Sequence, residues 1–417
     1  MDVKLQLGPE DLSPSLLRKV VREGGSDSFP EARKEVQEHL ALELDARQVQ
    51  RHTERIGGEW RELRDAEVEA FKQGKLPRAY AGVPKAAAVM VDSGRVLTRA
   101  EAQPAGVHAP QWRGPKYACC LSLDSEAHKS DPQPEPPSKF LDRERVPKLV
   151  REMQSRAGNA SAPTAPVCRA AKNKARKKKL RKRKKLRPGE VRRLVRTAVA
   201  SMACASEFGY MAAAETHRRG LDLASRKAFV CDGELSNWTI WEQHFQKPGF
   251  VPILDFLHLL SYLYSAACAL GGTPNQEWAR YEVWLGWAWS GEREKVWAAL
   301  CAASSKAGAP PQDAPEQDRR RVLQEAARYV EHNLTRMDYP RYRRLGLPVS
   351  SAPVESLIKQ FNRRVKGTEK FWLEEGVEAV LQVRAAYLSE DGRAERYWSM
   401  PRPHYPAVGR NRLALAA

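Results

Sequence analysis

Short runs of β-branched and apolar residues that each end in an aspartate recur along this chain and constrain its fold. AVMVD ends at Asp92, KAFVCD at Asp232 and FVPILD at Asp255. Runs of this length and composition predict buried strands, each with a carboxylate at its carboxyl end. The last two runs alternate with stretches of helical period. The sequence therefore predicts an α/β fold in which helices cover a sheet.

The N-terminal residues predict helices only. SPSLLRKVVREGG, SFPEARKEVQEHLALEL and DARQVQRHTERIGGEWRELRDAEVEAF have helical spacing, with Ser28 or Asp27 capping the second helix and Asp45 the third. Three short helices joined by tight turns fit a helix-turn-helix module that binds a DNA groove. Its outward side chains would be Arg47, Gln50, Arg51 and Arg55. The alternative is a small packing domain with a solvated basic face.

From Ala86 the pattern changes to period two, and AAAVMVD, GRVLTR and KYACCLSLDS predict a three-stranded antiparallel beginning. The stretch 126–190 is rich in Pro, Ser and charge and predicts an exposed insertion with one helix in RERVPKLVREMQ. GEVRRLVRTAVASMACASEFGYMAAAETHRRG, which follows the basic run, is long enough for one or two helices. Strand KAFVCD, a helix near 236–245, strand FVPILD and helix FLHLLSYLYSAACAL follow.

After residue 271 the chain is rich in tryptophan and predicts helices only, with the tryptophans in the core. The predicted units are a helical module over 1–80, the first part of the α/β core over 86–270, a helical insertion over 271–347, helices that complete the core over 348–400, and a tail over 401–417.

The chain is basic, with a formal net charge of +19 over 417 residues, which favours a polyanionic partner. Twelve of the sixteen residues from Lys172 to Arg187 are Lys or Arg. Lys177, Lys178 and Arg181 in this run would contact DNA phosphates without sequence specificity. The alternative is a disordered loop that attracts any polyanion.

Seven scattered cysteines form no CxxC pair, which indicates reduced thiols in a cytoplasmic protein. The N-terminus lacks the apolar core of a signal peptide, and the most apolar stretch, 250–270, contains Pro252, Asp255 and His258. We therefore expect no membrane partner.

Glu355 forms a set of three candidate metal-binding acids with Asp92 and Asp232, and it opens an amphipathic basic helix in APVESLIKQFNRRVKGTEKFW. Residues at helical spacing from it would place cations and an amide beside its carboxylate, where they could hold phosphates. These residues are Lys359, Asn362, Arg363 and Lys366. Carboxylate oxygens are ligands that Mg²⁺ prefers, and paired ions roughly 3.5–4 Å apart promote phosphoryl transfer. The acids therefore predict a metal-dependent enzyme that acts on nucleic acid.

The order and spacing of these motifs resemble the DDE transposases of bacterial insertion sequences, most closely the ISKra-type group and more distantly the mutator-like ones. The matching motifs are VMVDSGRVLTR, HAPQWRGPKYACCLSL, VCDGELSNW, ILDFLHLLSYL, APVESLIKQFNRRVKGTEKFW and VLQVRAAYLS. The likeness runs from Ser28 to Trp398, with gaps between residues 126 and 187. Ser93 stands where relatives commonly have glycine.

The resemblance implies an RNase H-like core with an all-helical insertion before the last acid. It also implies that Asp92, Asp232 and Glu355 are the catalytic, metal-binding acids, with Asp255 and His258 as supporting residues. The cofactor would be Mg²⁺, with Mn²⁺ as a substitute. The partners would be the terminal repeats of the element and target DNA, bound by a homodimer or a higher oligomer at the bacterial nucleoid.

Two other functions fit the same residues. A noncatalytic DNA-binding protein derived from a transposase would use only the N-terminal helices and the basic run. An RNase H-like nuclease would share the acids but cut nucleic acid without joining it.

Overall fold

The computed structural model describes residues 12–79, 82–99, 111–157, 186–367 and 370–400. Lys177, Lys178 and Arg181, most of the basic run around them, and the tail 401–417 lie outside the described residues. The chain is α/β, with a mixed five-stranded sheet and helices on both of its faces.

The strands are β1 (Ala86–Ser93), β2 (Val96–Thr98), β3 (Gln111–Arg113), β4 (Lys116–Asp124), β5 (Arg192–Ser201), β6 (Arg226–Cys231) and β7 (Val251–Leu254). The main sheet has the order β5-β4-β1-β6-β7. β4 is antiparallel to both β1 and β5, whereas β1, β6 and β7 are parallel. Central β1 is buried from Ala86 to Val91, which accounts for its continuous apolar run.

A strand forms at GRVLTR as predicted, but its place in one sheet with AAAVMVD and KYACCLSLDS was predicted wrongly. GRVLTR forms β2, which pairs with β3 in a separate two-stranded sheet, because β1 pairs directly with β4. The outer edge of β2 is held by Trp372, which exchanges backbone hydrogen bonds with Leu97 and Arg99. The third antiparallel strand of the main sheet is β5, in a stretch for which the sequence predicted helices only.

The fourteen helices of the described residues are α1 (Pro14–Ser26), α2 (Phe29–Leu40), α3 (Ala46–Lys72), α4 (Arg145–Ala157), α5 (Ala205–Arg218), α6 (Leu235–Ile240), α7 (Phe256–Ala269), α8 (Pro274–Ser290), α9 (Arg293–Ala307), α10 (Arg319–Asn333), α11 (Tyr339–Arg344), α12 (Ala352–Val365), α13 (Glu374–Leu388) and α14 (Arg393–Ser399).

The three N-terminal helices form where the sequence predicts them. Ser28 caps α2, and Asp45 caps α3 in a capping box with Gln48. α3 has 27 residues, so it is not the short helix that was expected. Apolar side chains of α1, α2 and α3 share a core with Val383 of α13. Gly57 permits this close packing, since a Cβ there would lie 2.3 Å from the backbone oxygen of Ala379.

The helical insertion between β7 and Glu355 is confirmed as helices α8–α11. Trp278, Trp284 and Trp289 are at most 5% exposed, in agreement with the prediction that the tryptophans are mainly core residues. After this insertion, α12 packs on one face of the sheet through the contact between Phe361 and Tyr117. α5 packs on the other face, where Thr216 contacts Cys120. The route of the chain therefore returns Glu355 to the sheet.

Candidate metal centre

Three aspartates follow a single row of paired residues in the parallel part of the sheet. Val91 of β1 pairs with Cys231 of β6, which pairs in turn with Leu254 of β7. The residues immediately after this row are Asp92, Asp232 and Asp255. Neighbouring strands are about 4.8 Å apart. The register therefore gathers the three acids at the same edge of the sheet.

Asp92 is partly buried, and its Oδ1 accepts a 2.7 Å hydrogen bond from the backbone N–H of Ser93. Burial raises the pKa of Asp92 to about 7, and the negative charges of Asp232 and Glu355 contribute in the same direction. The charge of His258 lowers the pKa of Asp92. The three predicted catalytic acids therefore lie within electrostatic range of one another. A bound cation would relieve their mutual repulsion.

The turn after β6 fixes one oxygen of Asp232. Its Oδ1 accepts hydrogen bonds from the backbone N–H of Glu234 at 3.1 Å and from Nδ2 of Asn237 at 3.0 Å. Gly233 has φ +95°, and a Cβ there would lie 2.9 Å from the ring of Tyr329. The Tyr329 hydroxyl donates to the backbone oxygen of Asp232 at 2.7 Å. Helix α10 of the insertion thus supports the Asp232 turn.

Asp255 is fully buried and caps α7. Its Oδ2 accepts hydrogen bonds from the backbone N–H and from Nδ1 of His258, at 3.0 and 2.6 Å, and its Oδ1 accepts from the backbone N–H of Ser351 at 2.7 Å. Burial opposes ionisation of Asp255, but its bonds to His258 and Ser351 lower its pKa. Asp255 therefore links the end of β7 to the residue that precedes α12.

Glu355 lies in the first turn of α12. One potential ligand atom from each of Glu355, Asp255 and His258 lies within 4.8 Å of the others. Burial disfavours the His258 cation, but the hydrogen bond and charge of Asp255 outweigh burial and raise the pKa of His258 to about 9. Because a 2.6 Å hydrogen bond joins His258 to Asp255, we interpret these two as an ion pair beside Glu355 and not as two metal ligands.

The basic residues predicted to hold phosphates differ in exposure. Lys359 and Arg363 of α12 are exposed, whereas Asn362 is partly buried. The buried Oδ1 of Asn362 has no hydrogen-bond partner among the described residues. Lys366 follows the last helical residue in extended conformation, so it is not on the helix as expected.

The residues predicted to contact DNA at the start of α3 also differ in exposure. Arg47 and Arg51 are exposed. Gln50 is partly buried, and its Nε2 donates to Glu54 at 2.8 Å. Gln50 and Glu54 are four positions apart, so they are neighbours on one face of the helix and can form this hydrogen bond.

Sequence analysis missed two side chains that shape the site, Asn237 and Tyr329. Asn237 stands in the quoted motif VCDGELSNW, so its position five residues after Asp232 was an available signal. Tyr329 lies 97 residues beyond Asp232 on a separate helix, and only the tertiary packing reveals its role.

Within the ranges that the structure covers, no helix combines the length and the apolar character needed to cross a membrane. In comparisons with known proteins, no family model matches the chain, and no curated protein matches it.

Proposed function

We propose that this chain is a DDE transposase that cleaves DNA at the ends of a mobile element and joins the exposed 3′-hydroxyl to target DNA. The observation that carries the proposal is the register of β1, β6 and β7, which gathers Asp92 and Asp232 at one edge. Glu355, in the first turn of α12, is close enough for its charge to contribute to the raised pKa of Asp92, which supports the proposal. The strand order β5-β4-β1-β6-β7, in which β4 runs in the opposite direction to the other four strands, supports an RNase H-like core.

The side chains of this edge fit Mg²⁺. Asp92, Asp232 and Glu355 offer carboxylate oxygens. Burial and the negative charges of Asp232 and Glu355 raise the pKa of Asp92, and a bound cation would lower it again. Only Oδ1 of Asp232 accepts hydrogen bonds from the described residues, so its Oδ2 is available to a cation. The chemistry that Mg²⁺ supplies in such sites is activation of the attacking oxygen and stabilisation of the leaving oxygen.

The protein's own groups would position the acids and the DNA. Asn237 and Glu234 hold one oxygen of Asp232, and the Asp255–His258 pair lies beside Glu355. The His258 imidazolium can donate a hydrogen bond to a phosphate oxygen. The exposed cations Lys359 and Arg363 would neutralise neighbouring phosphates, as would Arg47 and Arg51 at the start of α3. A transposase joins two element ends, so we infer a dimer or a higher oligomer at the nucleoid.

The test uses labelled DNA that carries the sequences flanking the gene, together with Mg²⁺ and a target plasmid. We expect cleaved and joined products from the native protein. Asp92→Asn, Asp232→Asn and Glu355→Gln should abolish both products while retaining DNA binding. Asp313→Asn, which changes an exposed acid in the loop between α9 and α10, is the matched control and should remain active.

The products separate this proposal from the other two functions. Cleavage without joining would identify a nuclease. DNA binding without either product, under conditions in which the protein is folded, would identify a noncatalytic DNA-binding protein.

A further inference from the structure

Lys116 is a buried lysine next to the candidate metal centre. It is the first residue of β4 and is only 7% exposed. Its register partner on β1 is Ser93, which follows Asp92. Lysine is rarely this buried unless its ammonium is paired, so the contacts of its Nζ atom define its role.

The ammonium of Lys116 is surrounded by acceptors from both acid-bearing turns. It donates to Oγ of Ser93 at 3.1 Å, to Oγ of Ser236 at 2.9 Å and to Oδ1 of Asn237 at 3.2 Å. A carboxylate oxygen of Glu234 lies 4.0 Å away. An ammonium has three N–H donors, so these bonds use all of them. Lys116 therefore connects the turn after Asp92 to the turn after Asp232.

Glu234 closes the network. Its carboxylate accepts hydrogen bonds from Ser236 at 2.8 Å and from Ser93 at 3.2 Å. The hydroxyl of Ser93 is thus engaged by both Lys116 and Glu234. These contacts add a second connection between the two turns.

The bond from Lys116 determines which way the Asn237 amide faces. An ammonium can only donate, so it requires the amide oxygen Oδ1 on its side. The amide nitrogen Nδ2 then faces Asp232 and donates to its Oδ1. With the amide reversed, Oδ1 would face the Asp232 carboxylate, and two acceptors would repel each other.

We propose that Lys116 is a positioning residue that orients the Asp232 carboxylate through Asn237 and ties the Asp92 turn to it through Ser93. It touches neither the substrate nor the metal. The metal-binding consequence rests on the proposed function, whereas the orientation of Asp232 does not. A lysine that served only packing would stabilise the fold without affecting the Asp232 turn.

The first experiment measures Mn²⁺ binding to the DNA-free protein by electron paramagnetic resonance. Outer-shell partners of metal ligands typically contribute about 10–100-fold to affinity, so we expect Lys116→Met and Asn237→Ala each to weaken binding by about tenfold or more. The double variant should lose less than the product of the two single losses, because one of the two connections made by Lys116 runs through Asn237. Lys227→Met, which changes a partly buried lysine at the start of β6, should bind like the native protein.

Two results would overturn the proposal. One is native Mn²⁺ affinity in Lys116→Met. The other is a double variant whose loss equals the product of the two single losses, since that would show independent action. If Lys116→Met does not fold, Asn237→Ala alone tests the proposal, because it removes the side chain that connects Lys116 to Asp232 and retains the buried ammonium of Lys116. Native affinity in that variant would equally reject the idea.

The second experiment measures amide hydrogen exchange and requires no metal. In Lys116→Met we expect faster exchange at residues 92–94 and 233–237 and unchanged exchange in α8 and α9. If the native protein binds no Mn²⁺ but these segments loosen, the proposed function fails and the positioning role stands. If the native protein binds Mn²⁺ and the variant changes neither affinity nor exchange, the positioning role alone fails.

Discussion

Replacing Asp255 with asparagine should remove a specific pH dependence of stability. The substitution keeps the size of the side chain but removes the charge that pairs with His258 at 2.6 Å. The rise in the pKa of His258 from 6.5 to about 9 corresponds to about 3 kcal/mol of folding free energy. Because the folded state holds this proton more tightly, the contribution is complete below pH 6.5 and is lost as the pH rises through 9.

The pKa of Asp255 is lowered, so its contribution is present above the ordinary aspartate pKa and does not change in this window. Urea unfolding in EDTA, followed by tryptophan fluorescence between pH 6 and 9.5, measures the effect. The native protein should lose about 3 kcal/mol relative to Asp255→Asn across the window. Asp313→Asn should follow the native curve. A native pH slope in Asp255→Asn would refute the assignment of this stability to the ion pair.

Four further predictions concern single substitutions. Asp92→Asn should stabilise the metal-free protein by up to about 4 kcal/mol at pH 8, because the raised pKa of Asp92 costs the native protein stability as the pH rises from the ordinary aspartate pKa of 3.8 to about 7; the urea series checks this. Gly233→Ala should cost about 1–3 kcal/mol of backbone strain and weaken Mn²⁺ binding, whereas Gly308→Ala, at φ +82° in open space, should show the strain alone in the same two assays. Arg364→Met should destabilise the fold by about 2 kcal/mol or more, since this guanidinium is 1% exposed and lies over two aromatic rings. Arg363→Met should instead leave stability within about 0.5 kcal/mol and reduce the salt dependence of DNA binding in titrations at several ionic strengths.

The parallel strands were predictable because each is a short apolar run that stops at an aspartate. Their mutual register was not, since no local pattern specifies that Val91, Cys231 and Leu254 form one row. The acids could be selected from the sequence, but their convergence depends on packing across the helical insertion. The same is true of Tyr329, whose hydroxyl reaches the Asp232 turn from α10.

The sequence did not predict β5 because this strand lacks the alternation of apolar and polar residues that identifies a half-buried strand. From Arg196 to Ser201 every residue is buried, since helices cover both faces of the sheet there. The positive charges of two arginines in β5, Arg193 and Arg196, are paired with the carboxylate of Glu390, which lies beyond α13. A single-sequence pattern cannot reveal a partner almost two hundred residues away.

The close approach of α3 to α13 at Gly57 makes the N-terminal helices inseparable from the rest of the chain. Deleting them would remove the apolar neighbours of Val383 and expose this residue of α13 to solvent. Another helical unit could therefore replace these helices only if α13 changed with it. Variation that preserves this packing is confined to their exposed side chains.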